Sequence, residues 1–233
     1  MAGKKLSHKG LRIVVSLLIV LGVITFWVLR PLTETPMTTG EFTPLRDDAL
    51  AAKFTPRFYP HALYGAPTRL FYRMAVNRDG NVYIAYHPFY PHEENPHEGT
   101  GATLSRIIYT GGLHIKDIMF GPADIELVEV VLDKSGRPVE LSYEDAGDYN
   151  PKAFSVRHVV KLVKKPEPPF CFTTSSWNHM FALAKGDLCR SVQGPAPEYF
   201  TDADWQKFRM VKKTEAMLRR NRMHRIYERV AAP

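Results

Sequence analysis

No complete catalytic motif runs through this chain. A P-loop, a nucleophile elbow, an HExxH pair and a glycine-rich dinucleotide turn are all missing, and with them the nucleotide-cradling, acyl-transfer, zincin and dinucleotide chemistries that depend on those arrangements. No internal repeat and no low-complexity tract is found. Helical periodicity is lacking between residues 58 and 200, and acidic residues are lacking in the first 30. Cysteine is scarce, with Cys171 and Cys189 alone. Nothing beside either one lowers a thiol pKa, which speaks against a thiol nucleophile. In an oxidising compartment the two are expected to form a disulfide; two buried free thiols are the alternative.

What is present is an ordinary globular composition, with 45% hydrophobic and 12% aromatic residues among 233. That is enough for one medium-sized domain with a core. The net charge of +7 points at nucleic acid until its distribution is read. Residues 1–30 and 202–230 contribute +5 each, which leaves the remainder at −3. The central domain is mildly acidic, which argues against a nucleic-acid groove.

Ile13 to Leu29 is an uncharged stretch of seventeen residues, near the lower limit for a helix crossing a bilayer core of about 30 Å. Lys4, Lys5, Lys9 and Arg12 precede it and only Arg30 follows closely. The bias of positive charge places the N-terminus in the cytoplasm and the bulk of the chain outside it, with Trp27 at an interface. A cleaved signal peptide and a buried soluble helix are the competing readings. The first lacks a small-x-small site in RPLTETPMTTG, and the second lacks a polar face.

The expected organisation is a cytoplasmic tip and transmembrane anchor over 1–30, a Pro/Thr-rich stalk over 31–57, a β-sandwich over 58–200 and a basic C-terminal helix over 201–233. Leu70–Val76 and Asn81–His87 alternate at period two around Asn77-Arg78-Asp79-Gly80, a hairpin, with the second strand apolar on both faces. DIELVEVVLD and PVELSYE flank Lys134-Ser135-Gly136-Arg137 as a second hairpin, with Val139, Leu141 and Tyr143 on its buried face. Ser155–Val163 reads as a further strand and Leu104–Tyr109 as a weaker one. Strands joined by turns make the fold mainly β, an antiparallel sandwich.

Residues 202–230 read as one long amphipathic helix. Thr201 and Asp204 form an acidic capping box, and Trp205, Phe208, Val211, Leu218, Ile226 and Val230 form an apolar stripe. The helix either packs on the sandwich or meets lipid or a protein partner through Trp205, Lys212, Lys213, Arg219, Arg220 and Arg222.

Two groups of side chains carry ligand chemistry. His87, His92 and His97 recur every five residues beside Glu93, Glu94 and Glu98, donors suited to zinc, although prolines make the segment a loop. Asp124 and Glu126 fall on one side of a strand, in phase with Val128, Val130 and Leu132. Two carboxylates ending an apolar row are resolved by Ca²⁺ or Mg²⁺, by a basic partner or by exposure at the rim.

The order of segments YRMAVNRDGNVYIAYHPFYPHEENP, ADIELVEVVLDKSGRPVELSYE and SSWNHMFALAKG, over roughly residues 70–186, resembles the β-sandwich superfamily of necrosis-inducing NLP proteins and vacuolar-sorting-like proteins. Tyr86–Tyr90 matches its YWFFYP-like strand, Asp124-Ile125-Glu126 its DWE motif and Trp177–His179 its small-residue-histidine segment. Gly121-Pro122-Ala123 stands where that family carries histidines, and Ile125 where it carries tryptophan. The resemblance implies the fold. Of the family's cation-binding residues it carries over only Asp124 and Glu126, to a cation-dependent lipid- or glycan-binding role. The residues themselves lead to a membrane-anchored binding or structural module in a membrane or envelope assembly, with a metal-dependent hydrolase as the remotest alternative.

Overall fold

A computed structural model describes residues 8–29, 42–107, 121–184, 188, 192–210 and 228–230. The chain divides into two units, Met1–Thr33 and Glu34–Pro233. In the first, helix α1 spans His8–Leu29 and covers the expected anchor. Its side chains from Val14 to Val23 are exposed, Leu17 at 63%. Among the described residues no helix is long and apolar enough to cross a membrane.

The second unit is mainly antiparallel β-sheet. Strands β1 (Phe42–Leu45), β3 (Arg69–Asn77), β4 (Val82–Tyr90), β6 (Val128–Leu132), β7 (Pro138–Gly147), β8 (Arg157–Lys164) and β12 (Glu228–Val230) lie side by side in the order β1-β3-β4-β6-β7-β8-β12. Beside them, β5 (Asp124–Ile125) pairs with β4, and β11 (Pro197–Tyr199) pairs with β3. A smaller sheet holds β10 (Phe181–Leu183), β9 (Cys171–Thr174) and β2 (Arg57–Tyr59) in that order. The parallel pairs are β2 with β9, β11 with β3 and β12 with β8.

The two sheets share one core. Leu70, Tyr72 and Met74 of β3, Ile84 and Tyr86 of β4, and Val128, Val130 and Leu132 of β6 meet Phe58, Phe172 and Phe181 of the small sheet. Period-two alternation sends the intervening residues to the other face, where Ala75, Ala85 and Tyr83 form a second cluster and Phe71 and Phe89 a third. The expectation that β4 is apolar on both faces is met for this reason.

Both expected hairpins form, and their turns show why. At the first, Asn77 accepts at its side-chain oxygen from the Asn81 N–H (2.9 Å), and Gly80 takes the left-handed conformation with φ +79°. At the second, Asp133 Oδ1 accepts from the N–H groups of Ser135 (2.9 Å) and Arg137 (3.1 Å). The Ser135 hydroxyl, which donates to the same oxygen at 2.6 Å, and with it these backbone bonds hold the Asp133 carboxyl well below its ordinary pKa. The register shifts between Val131 and Leu132, where Val139 of β7 is the extra, unpaired residue.

Other expectations are corrected. The second half of the supposed stalk is folded: β1 pairs with β3, and helix α2 (Asp48–Lys53) is capped by Asp47, which accepts from Leu50 N–H at 2.9 Å. Residues 30–41 of that stretch lie outside the described residues. Leu104 belongs not to a strand but to helix α3 (Thr100–Ser105), where Gly101 passes so close to the Lys152 carbonyl that a Cβ would lie 2.4 Å from it.

The single C-terminal helix is also corrected. Helix α4 covers only Asp202–Lys207, and Glu228–Val230 is a strand. The capping expectation holds, since Thr201 Oγ1 accepts from Asp204 N–H at 3.1 Å. The helix stops because Trp205, Phe208 and Met210 turn into the cluster built on Phe71 and Phe200, with Arg209 at φ +51°.

Candidate functional site

β4 finishes and β5 begins at one end of the large sheet. Antiparallel pairing of Tyr90 with Asp124 puts that aspartate at the sheet end, after a turn in which Gly121 (φ +89°) and Ala123 (φ +67°) are both left-handed. Facing it is the loop Ser175–Met180 between β9 and β10. It closes tightly: Ser175 N–H donates to Met180 O (2.7 Å) and His179 N–H to Ser176 O (3.1 Å), leaving His179 itself at φ +56°. A left-handed conformation costs a non-glycine residue of order 1 kcal/mol and persists only where the surroundings hold it.

Two carboxylate–imidazole pairs hold this loop. His179 Nδ1 lies 2.7 Å from Asp124 Oδ2, both side chains nearly buried. With Nδ1–H donating to the carboxylate, Nε2 is left as an acceptor. The Tyr90 ring stacks on the His179 ring, centroids 3.7 Å apart and planes at 10°. The Tyr90 hydroxyl sits 3.0 Å from Thr174 Oγ1. Burial pushes the Tyr90 pKa up, and the negative charges of Glu126 and Asp124 push it further, so both carboxylates lie within electrostatic reach of it.

On the other side, Glu144 Oε2 of β7 is 2.8 Å from His158 Nδ1 of β8. His158 Nε2 accepts from Asn178 Nδ2 at 3.1 Å, and Asn178 Oδ1 accepts from Ser176 Oγ at 2.6 Å. Ser176 Oγ also accepts from Met180 N–H at 3.2 Å. The hydroxyl therefore reaches imidazole only through an amide. The geometry positions a loop and does not activate a serine for attack.

A third network ties neighbouring loops together. Tyr64 Oη lies 2.8 Å from His97 Nε2 and 2.8 Å from Tyr149 Oη. Arg106 donates to the carbonyls of Asn95 (2.7 Å) and His97 (2.6 Å).

These placements decide several sequence expectations. His87, His92 and His97 do not converge: His87 is wholly buried in the outer face of β4 against the rings of Phe200 and Trp205, His92 is exposed, and His97 faces Tyr64. Asp124 and Glu126 are both buried, but they do not continue one strand row into β6: β5 ends at Ile125 and Glu126 falls in the break before β6. Among the described residues no group of three or more His, Cys, Asp or Glu is placed to hold a metal ion.

Trp205, expected as a contact for membrane or partner, is 0% exposed and belongs to the core; Lys212, Lys213, Arg219, Arg220 and Arg222 lie outside the described residues. Cys171 is buried at the start of β9 and is no free thiol, while Cys189 lies outside the described residues. Sequence reasoning did not single out Glu144 or His158, and it marked Asn178 and His179 only as part of the resemblance over Trp177–His179, with no partner named. His158 stood in an alternating strand row, and nothing local marks which acid a histidine will meet from across a sheet. No family model, curated protein or solved structure matches the chain.

Proposed function

We propose that this chain is a membrane-anchored, extracytoplasmic binding or structural module, a β-sandwich of NLP-like kind serving a membrane or envelope assembly. The observation that carries the reading is the clamped loop Ser175–Met180. Two carboxylate–imidazole pairs fix it from separate strands, and its serine hydroxyl is committed to Asn178. A rigid loop end on a sheet scaffold suits recognition, because little ordering entropy remains to be lost on binding. The uncharged run within α1 and the basic residues before it support the anchor and its orientation. Two cysteines in one extracytoplasmic chain support a Cys171–Cys189 disulfide.

The test is extraction of the full-length protein in a mild detergent. A stoichiometric partner, or a defined homo-oligomer, is expected to copurify. A strict monomer with no partner overturns the assembly reading.

A second reading, divalent-cation-dependent binding of lipid or glycan, is favoured by one observation: Asp124 and Glu126, 9% and 3% exposed, are two buried carboxylates two residues apart. It predicts a lower melting temperature in EDTA, restored by excess Ca²⁺ or Mg²⁺. An indifferent melt removes it.

A further inference from the structure

Helix α3 and the turn packed on it carry an apolar surface that the Ser175–Met180 loop does not use. Of the large apolar side chains that the second unit exposes among its described residues, three fall here: Leu104 (46%), Ile107 (49%) and Phe154 (37%). Leu104 follows Gly101 by about one helical turn, and Ile107 follows Leu104 by another, since Arg106 keeps helical dihedrals. A side chain at Gly101 would meet the backbone of Lys152, Ala153 and Phe154, so that turn lies alongside this row. Ala102 and Ser105, both fully buried, fix the helix from its other side. The two segments are also tied through Asn95. Its carbonyl accepts from Arg106 at 2.7 Å, and its Nδ2 donates to Pro151 O at 3.3 Å.

Single exposed apolar residues need no explanation, but three on one braced face do. Charge and area together select the occupant. Residues 99–107 and 150–158 hold Arg106, Lys152 and Arg157 and no acid, in a central domain that is otherwise net acidic. Glu98 and Asp148 stand just outside these segments; Asp148 lies 3.5 Å from Arg157 with both side chains exposed, a pair that contributes little. Three half-exposed side chains fall well short of the roughly 800 Å² per partner that a stable protein interface buries. A bilayer has no such threshold for a chain already held beside it, and apolar tips flanked by cations suit the boundary between headgroups and acyl chains.

We infer that this face docks on an anionic lipid surface, with Leu104, Ile107 and Phe154 entering the headgroup boundary and Lys152 and Arg157 meeting lipid phosphates. The inference rests on the membrane-anchored reading. It uses neither Asp124 nor Glu126 and needs no divalent cation.

The experiment places the full-length protein, in EDTA, in nanodiscs of phosphatidylcholine or of an equimolar mixture with phosphatidylglycerol. Both kinds of disc carry a headgroup spin-labelled lipid, and methyl resonances are followed. Leu104 and Ile107 are expected to broaden at least about threefold more in the mixed discs, and Ile125, 1% exposed, to stay sharp. Lys152→Glu, and Leu104→Asp read at Ile107, are each expected to weaken docking about tenfold with an unchanged melting temperature, because both side chains are exposed. Lys152→Glu decides alone should Leu104→Asp fail to fold. Equal broadening in the two discs, or insensitivity to Lys152→Glu, overturns the anionic part of the assignment. Sharp Leu104 and Ile107 methyls in mixed discs that contain the chain overturn the docking face and leave the anchor standing. If those sharp methyls are also shielded from a water-soluble paramagnetic probe, a protein covers the face instead of lipid. Failure of the chain to enter either disc overturns the anchor, and this inference with it.

Discussion

Trp205→Ala lowers the stability of the folded unit by about 3–5 kcal/mol, the range for deleting a fully buried aromatic side chain. Trp205 is 0% exposed. Its ring packs edge-on against Phe200 (5.1 Å) and His87 (5.5 Å), and the Arg73 guanidinium lies over it at 4.4 Å. Arg73 is itself buried and holds the segment by donating to Phe200 O (2.9 Å) and to Asp202 Oδ1 (2.6 Å). Removing the indole opens a cavity beside that guanidinium and weakens the bond of α4 to the sheet. Thermal melting of the full-length variant checks this, with a fall in midpoint of roughly 10 °C expected for a unit of this size. A fall of only a degree or two means that α4 is not docked and is available to a partner, the second of the two alternatives the sequence left open.

Asp124→Ala is expected to cost about 1–3 kcal/mol, because it leaves the buried His179 Nδ1–H without an acceptor. Asp124→Asn, which keeps an oxygen opposite that N–H, costs less. The telling measurement is a double-mutant cycle with His179→Phe, which retains a ring for Tyr90 to stack on. Coupling of about 1–2 kcal/mol between the two positions is expected for a direct buried pair. Simple additivity shows that the pair does not hold the loop, and with it goes the clamped-loop argument for a binding role. If the cation reading is right, Asp124→Ala also abolishes the EDTA response; a response that persists in the variant places any bound ion elsewhere.

Much of the sheet was legible because strand patterning is a local property. β3, β4, β6, β7 and β8 each carry a period-two alternation within their own residues, and Asn77-Arg78-Asp79-Gly80 and Lys134-Ser135-Gly136-Arg137 carry the turn residues between them. The capping signal at Thr201 was equally local and correct. Short elements failed. β1 and β11, of four and three residues, have too few positions to show a period and exist because β3 offers them an edge. Leu104 carried a faint strand signal that tertiary contact at Gly101 overrode in favour of α3.

The C-terminal segment shows the same division more sharply. Apolar residues at Trp205, Phe208, Val211 and beyond matched a helical stripe, and that stripe was read as continuous to Val230. Periodicity records which residues prefer burial, but not where the surface that buries them ends. Phe71 and Phe200, stacked at 4.4 Å, offer a cluster only as long as α4 and the turn after it, so the chain bends there.

By itself the sequence determined that the chain is mainly β, where its principal hairpins turn, and that residues 13–29 form an uncharged run of seventeen. The tertiary structure alone decided that Asp124 meets His179, 55 residues away, that Glu144 meets His158 and through it Asn178, and that His87 and Trp205 lie in the core. The reason is physical. Hydrophobic alternation and turn chemistry act between residues a few positions apart, whereas a carboxylate and an imidazole become partners only when pairing of Tyr90 with Asp124 and packing of the small sheet bring their strands to the same end.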